Sequence, residues 1–339
     1  MDGRQGAVPI MSDFQAELAG RAKKVDARLL QYIDQGKYKK MREAMLHYPA
    51  AGGKRMRPVL AMLVADAVGG RGDAAIPFGC CLEIIHNFTL VHDDVIDQDP
   101  VRRGQPAVHI KWDIPTAIIA GDALFARAYE VLADTDVPDK DLRRLLRITS
   151  EAIFLVAEGQ QMDVDFEKLP TVSLADYEEM VEKKTAVLFG CAAEGGAIIG
   201  GGSEKQVRDM KEYARLFGIA FQMWDDVLGV VGDPKKVGKP VGNDVRNGKR
   251  TLIVVHALEH LPEGKQREIL RKALGNQKAT DEEIKAAIQV LKDVGSIDHI
   301  SSLAKKMAKE ANAKLACLQD SDEKRALAAL AEYSVARES

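Results

Sequence analysis

Helical patterning covers almost the whole chain and restricts its fold more than any other feature. Segments with helical apolar spacing cover approximately residues 12–46 (two helices), 58–69, 75–98, 113–133, 138–168, 174–201, 204–231, 250–260, 264–274, 280–293, 296–318 and 322–337. Proline and glycine separate them, mainly at 52–53, 69–72, 100–106, 200–202 and 232–242. No segment has the apolar and polar alternation of a convincing strand. The sequence therefore predicts one all-α domain of ten or more helices over residues 1–339.

Composition and charge exclude several classes of protein. The 339 residues are 46% hydrophobic but only 5% aromatic, which suits a helical core, and the net charge of -3 gives no sign of nucleic-acid binding. Four cysteines are too few for a disulfide framework and favour a reduced, cytoplasmic setting. The N-terminus lacks the apolar core of a signal peptide. The most apolar long run, residues 186–201, contains Glu194 and many small residues, so we interpret it as a closely packed core helix rather than a membrane span.

An acidic cluster follows the apolar segment 76–92. The stretch LVHDDVIDQDPVRRG combines four aspartates with two arginines: Asp93, Asp94, Asp97, Asp99, Arg102 and Arg103. Pro100 predicts that the helix ends here, where the helix dipole disfavours carboxylates. Asp93 and Asp97 also share a helix face and repel each other. A solvated acidic turn is one interpretation. The other is a bound divalent cation, which would remove both conflicts.

A second acidic pair, Asp225 and Asp226, lies within the apolar sequence FQMWDDVLG. Such a pair is costly to bury without partners, so its recurrence favours a metal site. No cysteine or histidine cluster has zinc spacing. Carboxylates alone suit Mg²⁺, which typically binds one or two carboxylates together with phosphate groups of a substrate. The sequence therefore predicts a substrate that carries phosphate.

Basic residues beside glycines are suited to bind that phosphate. Each cation alone is an ordinary surface charge, but they recur in GGKRMRP, GKPVGND and NGKRT, where glycine lets a ligand approach the backbone. The candidates are Lys54, Arg55, Arg57, Arg102, Arg103, Lys184, Lys239, Lys249 and Arg250. The glycine patterns of nucleotide-binding loops are absent from the sequence.

In this order the motifs resemble those of the trans-prenyltransferases, the isoprenyl diphosphate synthases. The similar segments are GGKRMRP, His86 within EIIHNFTLVHDD, DDVID at 93–97, GQQMD at 159–163, KKTA at 183–186 and FQMWDD at 221–226. The resemblance spans roughly residues 52–251 and is greatest to archaeal-type geranylgeranyl diphosphate synthases. It implies a helical bundle around a central cavity, usually a homodimer, and head-to-tail condensation of isopentenyl diphosphate with an allylic diphosphate.

The resemblance also implies roles for individual residues. Two or three Mg²⁺ ions would be held by Asp93, Asp94 and Asp97 and, from the opposite wall, by Asp225 and Asp226. Isopentenyl diphosphate would be held by Lys54, Arg57, His86 and Arg103. The allylic diphosphate would contact Arg102, Lys184, Lys239 and Lys249. Gln160 and Asp163 would face the same cavity, and Thr185 and Gln222 would direct oxygen dipoles at the carbocation. Alternatively, His86 is an ordinary core histidine and Thr185 bonds its own helix backbone.

The chain departs from the family pattern at Gly229, which replaces the third aspartate of the second motif. Water, Asp233 or Asp244 would have to take its place. Product length should depend on Phe88 and Thr89, five and four residues before Asp93. Together with the lack of an insertion in the first motif, they resemble the pattern of C20 synthases.

Other functions remain open at this point. The alternatives are a farnesyl synthase, a C25 or longer-chain synthase, a terpene cyclase or a non-catalytic partner subunit.

Overall fold

In the computed structural model, residues 7–166, 168–169, 171–232 and 242–337 are described, with side chains from residue 15 onward. The α-helices are α1 (Ala7–Ile33), α2 (Lys39–Ala50), α3 (Met56–Ala67), α4 (Ile76–Ile96), α5 (Val108–Lys111), α6 (Ile114–Ala133), α7 (Asp139–Phe166), α8 (Leu174–Val181), α9 (Val187–Ile199), α10 (Glu204–Val231), α11 (Asn243–Arg246), α12 (Leu252–His260), α13 (Lys265–Ala273), α14 (Asp281–Asp293), α15 (Ser296–Lys314) and α16 (Asp322–Ser334). A π-helical turn (Glu182–Ala186) joins α8 to α9, and 3-10 turns cover Gly72–Ala75 and Leu315–Cys317. The all-α fold is confirmed.

Helix ends fall close to the predicted ones because the sequence supplies ordinary capping groups. Asp113 accepts a hydrogen bond from the backbone N–H of Thr116 and so caps α6. Ser173 and Thr280 form capping boxes, with Asp176 and Glu283 respectively, at the starts of α8 and α14. These local signals account for the starts of α6, α8 and α14.

A short hairpin after α4 was not predicted. Strand β1 (Val101–Arg102) pairs antiparallel with β2 (Gln105–Pro106). Arg103 and Gly104 form the turn with φ angles of 52° and 74°. This left-handed backbone suits a tight two-residue hairpin turn. Strands of two residues are too short to show an alternating pattern, so the hairpin had no sequence signal beyond its glycine.

The described residues group into two compact units. The first comprises residues 1–153, 191–211 and 315–329. In its core, glycines let helices approach closely: a Cβ at Gly79 would lie 2.9 Å from Cα of Pro58, and Gly196 lies against the backbone of Ala61. The close packing predicted for the small-residue run is therefore present here.

The second unit comprises residues 154–190, 212–314 and 330–339. Its core joins aliphatic and aromatic side chains of α8, α10, α12, α14 and α15, among them Tyr177, Met223 and Leu291. The assignment of residues 1–339 to a single domain stays a prediction.

One helical stretch, Gly72–Ile96, is long and apolar enough to cross a membrane by length and composition alone. Within the protein, 61% of its most apolar window is buried. A core helix has the same properties, so this stretch is weak evidence for a membrane span.

Candidate active site

The first acidic motif lies where α4 ends. Asp93 and Asp94 belong to the last turn of the helix, and Asp97 follows as its C-cap. Asp94 is buried, whereas Asp93 is half-buried and Asp97 is exposed. The aspartates therefore stand in different environments although they are adjacent in sequence.

Both carboxylate oxygens of Asp94 already have partners. Oδ1 accepts hydrogen bonds from Nε and Nη2 of Arg102, at 2.6 Å and 2.5 Å. Oδ2 accepts a hydrogen bond from the hydroxyl of Tyr48. Burial and the neighbouring carboxylate raise the pKa of Tyr48, which keeps it a donor. Asp94 thus fixes Arg102, and its predicted role as a metal ligand stays a prediction.

A basic cluster is built from the segment after α2, the middle of α4 and the hairpin. Arg103 donates to the backbone carbonyls of Tyr48 at 3.0 Å and Gly52 at 2.5 Å, which brings the hairpin against the GGKRMRP segment. Burial and the charges of the nearby arginines, Arg57 and Arg103 first among them, hold the pKa of His86 well below its usual value. His86 is therefore neutral in a strongly positive environment, and a bound anion would be stabilised there.

Arg57 and Lys54, two other basic residues of GGKRMRP, differ in how far they are buried. Burial lowers the pKa of Arg57 to about 10, while Lys54 is exposed. Arg55, between them, is buried and structural: its guanidinium donates to Asp26 at 2.6 Å and to Glu83 at 2.8 Å. Arg55 thus ties α3 to α1 and α4.

The second acidic motif lies near the end of α10. Asp226 is buried; its Oδ1 accepts from Nε2 of Gln222 at 3.0 Å and its Oδ2 from the hydroxyl of Tyr177 at 3.1 Å. Burial raises the pKa of Asp226 to about 7, and the charges of Asp244 and Asp225 add to the effect. Asp225 is 40% exposed and accepts a hydrogen bond from Arg337.

A hydrogen-bonded chain leads from the π turn to this motif. The hydroxyl of Thr185 donates to Oε1 of Gln222 at 3.2 Å, and Gln222 donates in turn to Asp226. The hydroxyl of Thr185 therefore bonds a side chain on α10. The alternative interpretation had it bonded to the backbone of its own helix. Single π turns occur often at functional sites.

The same turn carries Lys184, whose ammonium group lies 2.5 Å from Oδ2 of Asp163. Gly159 makes this possible because its missing side chain leaves space for the backbone of Lys183 and Lys184. Next to it on α7, the side-chain amide of Gln160 is buried, with no hydrogen-bond partner for its nitrogen or its oxygen among the described residues. Buried amides without partners are rare, and a polar ligand would satisfy this one.

The place of the missing third aspartate is occupied from another element. A Cβ built on Gly229 would lie 2.7 Å from Oδ2 of Asp244. The backbone N–H of Gly242 donates to the carbonyl of Gly229 at 3.0 Å and holds the two segments together. Lys249 donates from its backbone to the carbonyl of Asp244 at 2.9 Å. Asp233 and Lys239 lie outside the described residues.

The two residues predicted to set product length lie on α4. The ring of Phe88 contacts those of Phe125 and His92, each with centroids 5.5 Å apart and nearly perpendicular planes. Thr89 donates to the backbone carbonyl of His86 at 2.8 Å. Phe88 is thus supported by a second aromatic side chain on α6.

The donor set fits Mg²⁺ bound together with a phosphate ligand. Within the described part of the chain, no three His, Cys, Asp or Glu side chains are arranged to hold a metal ion by themselves. Mg²⁺ needs only one or two carboxylates when phosphate oxygens and water complete its shell. Asp93, Asp97 and Asp225 have the exposure that such binding requires.

Sequence reasoning missed three residues that organise these groups. Tyr48 and Tyr177 bond the second aspartate of each motif, and Arg337 bonds Asp225. Tyr48 precedes GGKRMRP by only a few residues, which is a weak signal. Tyr177 and Arg337 are distant in sequence from their partners, so the sequence gave no signal for them.

The chain is similar to several known proteins over most of its length. The polyprenyl synthetase family model matches residues 38–291. Geranylgeranyl diphosphate synthase of Methanosarcina mazei is 39% identical over 322 residues, which cover 95% of this chain and 97% of that protein. A crystal structure of geranylgeranyl pyrophosphate synthetase from Pyrococcus horikoshii is 40% identical, with a TM-score of 0.91 and coverage of 96% and 100%.

A second solved structure was determined with ligands bound. Geranylgeranyl pyrophosphate synthase of Corynebacterium glutamicum, complexed with isoprenyl diphosphate and magnesium, is 26% identical with a TM-score of 0.85 and covers 93% of this chain and 98% of that one. The family match covers most of the sequence, and the relatives match nearly end to end. The chain belongs to the polyprenyl synthetase family.

Proposed function

We propose that the protein condenses isopentenyl diphosphate head to tail with allylic diphosphates and releases geranylgeranyl diphosphate, a C20 product. One observation carries this proposal. The first unit contains an acidic helix end and, built partly from the same helix α4, a basic cluster around Arg57, His86 and Arg103. The acidic helix end suits a diphosphate that binds through metal ions, and the basic cluster suits a second diphosphate. A terpene cyclase uses only one diphosphate.

The residues that would hold Mg²⁺ are Asp93, Asp97 and Asp225, with Asp244 in the place of the missing third aspartate of the second motif. Mg²⁺ bound there would act as a Lewis acid and stabilise charge on the diphosphate that leaves the allylic substrate. Asp94 and Asp226 are buried and hydrogen-bonded, so they also orient their neighbours, and their own role as metal ligands stays a prediction.

In each unit a cation of the chain itself would act on a leaving diphosphate. Arg102 is oriented by Asp94, and Lys184 is oriented by Asp163. Each ion pair fixes a long side chain before substrate binds, which lowers the entropy lost on binding. Removal of either cation would therefore raise the barrier to breaking the C–O bond.

The carbocation that remains needs negative dipoles and protection from water. Thr185 and Gln222 supply side-chain oxygens, and their hydrogen bonds to each other and to Asp226 fix the directions of those oxygens. The allylic tail would run along α4 towards Phe88, and closing this path to water would protect the carbocation. The double bond of isopentenyl diphosphate then attacks, and the departed diphosphate takes the proton that is lost last.

We also propose that the protein is a cytoplasmic homodimer. Ile114, Ile118 and Phe125 follow one face of α6 and are 52%, 43% and 36% exposed. Apolar side chains exposed along one helix face indicate an interface, and a second copy of the chain is the occupant that the family resemblance favours. Ile118→Glu should shift the mass measured by light scattering from dimer to monomer.

Product analysis tests the proposed activity. The protein is incubated with Mg²⁺, labelled isopentenyl diphosphate and one allylic diphosphate of C5, C10 or C15 length, and the dephosphorylated products are separated by chromatography. A main C20 product supports the proposal. C15, C25 or longer products would identify one of the other synthases, a cyclic hydrocarbon would identify a cyclase, and the absence of product would indicate a non-catalytic subunit.

A further inference from the structure

The C-terminal segment brings an arginine to the second acidic motif. Nη2 of Arg337, three residues after α16, lies 2.5 Å from Oδ1 of Asp225. The arginine side chain is 5% exposed and the aspartate side chain 40%. We propose that Arg337 is a positioning residue that holds the Asp225 carboxylate ready to bind Mg²⁺ with a diphosphate. The inference rests on the proposed function of Asp225 and adds a residue that none of the sequence motifs contains.

Arg337 is itself held by several contacts. Its guanidinium lies over the ring of Phe221, 4.1 Å from the centroid, and its Nε donates to the carbonyl of Ser334 at 3.2 Å. Its own backbone carbonyl accepts a hydrogen bond from the indole N–H of Trp224 at 2.9 Å. Phe221, Trp224 and Asp225 lie within two turns of α10, so the arginine is bound to the same helix segment that carries the metal ligand. A stacked and hydrogen-bonded guanidinium is a fixed partner rather than a loose counter-ion.

Anchoring and charge act in opposite directions on metal binding. A fixed partner reduces the conformational freedom that a half-exposed aspartate loses when it binds a ligand. The positive charge of Arg337, in contrast, repels Mg²⁺. Loss of Arg337 therefore weakens metal binding if the arginine acts mainly as an anchor, and strengthens it if the arginine acts mainly by its charge. The packing around Arg337 favours the anchor.

The test uses the full chain with Arg337→Ala and Arg337→Lys. Mn²⁺ binding in the presence of inorganic diphosphate is followed by electron paramagnetic resonance, and the Mg²⁺ concentration for half-maximal turnover is measured separately. Arg337→Ala should weaken Mn²⁺ binding about tenfold, the effect of one lost hydrogen bond to a charged group. Arg337→Lys should recover part of the loss because it keeps a donor without the planar stack. If the alanine variant unfolds, Arg337→Gln replaces it.

Arg325→Ala is the matched control, since Arg325 lies on α16, is 69% exposed and pairs with Asp322. It should leave Mn²⁺ binding unchanged. In an Asp225→Asn background, Arg337→Ala should have no further effect, because the arginine acts through that carboxylate.

The inference would be overturned if Arg337→Ala bound Mn²⁺ as tightly as the wild type or more tightly, and Asp225→Asn bound it more weakly. If Asp225→Asn also left binding unchanged, the proposed metal role of Asp225 would fail and the inference with it.

Discussion

The hydroxyl of Tyr177 lies 3.1 Å from Oδ2 of Asp226 and donates a hydrogen bond to it. Tyr48 makes the same kind of contact with Asp94. In each acidic motif the second aspartate is thus buried against a tyrosine, while the first is more exposed. The repetition is the basis for a proposed division of roles, in which the first aspartate would meet the metal and the second holds the surrounding side chains in place.

This division predicts which substitutions abolish turnover. Asp93→Ala and Asp225→Ala should each lower turnover by at least about a hundredfold at saturating substrate, since a preorganised electrostatic contact contributes a few kcal/mol to the transition state. Steady-state assays over a range of Mg²⁺ concentrations measure the effect. Near-normal turnover in both variants would contradict the proposed metal role.

The pKa of Asp226 predicts a pH dependence of stability. Burial raises that pKa from 3.8 to about 7, so between about pH 4 and pH 7 the folded protein keeps a proton that the unfolded chain has released. Protonation therefore stabilises the folded state at low pH, and this contribution is lost as pH rises through 7. Without metal, Asp226→Asn should melt at a similar temperature to the wild type near pH 4, and it should melt several degrees higher than the wild type at pH 8. Three pKa units set an upper bound of roughly 4 kcal/mol.

Thermal melts in the presence of a chelator measure this difference. A constant offset between Asp226→Asn and the wild type from pH 5 to pH 8 would show that Asp226 does not titrate in this range. Asp163→Asn, on a partly exposed ion pair of the same unit, serves as the comparison.

The basic cluster predicts a selective loss of one substrate. Arg57→Ala and His86→Ala should raise KM for isopentenyl diphosphate roughly tenfold or more, as expected from one lost charge-assisted contact. KM for the allylic substrate should change much less. Kinetics with each substrate varied in turn would show this, and an equal rise in both KM values would argue against separate diphosphate sites.

The position of Asp244 beside Gly229 predicts that the carboxylate can be moved. Gly229→Asp alone should place two carboxylates within contact distance and lower both melting temperature and activity, because like charges in contact repel. Gly229→Asp combined with Asp244→Gly restores one carboxylate and should regain much of the activity. Asp244→Gly alone should remain impaired. If the double variant is no better than Gly229→Asp alone, Asp244 does not stand in for the missing aspartate.

The position of Phe88, whose ring is packed against Phe125, predicts the length at which the prenyl product stops growing. Phe88 lies five residues before Asp93, about 7.5 Å along α4, which leaves a limited length of wall for the apolar tail. Phe88→Ala should shift the main product beyond C20, as seen by chromatography beside a thermal melt. If Phe88 is only a packing residue, the variant should instead lose roughly 3–5 kcal/mol of stability and keep its product length. Phe125→Ala tests whether its aromatic neighbour supports the same limit.

Much of the fold followed from local patterns, since the capping groups at Asp113, Ser173 and Thr280 are encoded within a few residues of the helix starts they define. The acidic motifs were found for the same reason: their residues are adjacent in sequence. The partners of those motifs were not. Arg337 is 112 residues from Asp225, and Tyr177 is 49 residues from Asp226. Only tertiary packing brings such pairs together, and arginine and tyrosine in a helical sequence have no pattern that reveals it.

The π turn at Glu182–Ala186 bears on how this protein is aligned with others. An α-helix advances about 100° per residue, so one extra residue shifts the phase of every side chain beyond it by that angle. A relative without the extra residue would carry the counterparts of Lys184 and Thr185 on a different side of its helix, even where the letters match. In a sequence alignment, a single-residue gap placed at the π turn rather than in a loop would therefore decide which side chains of the relative correspond to Lys184 and Thr185.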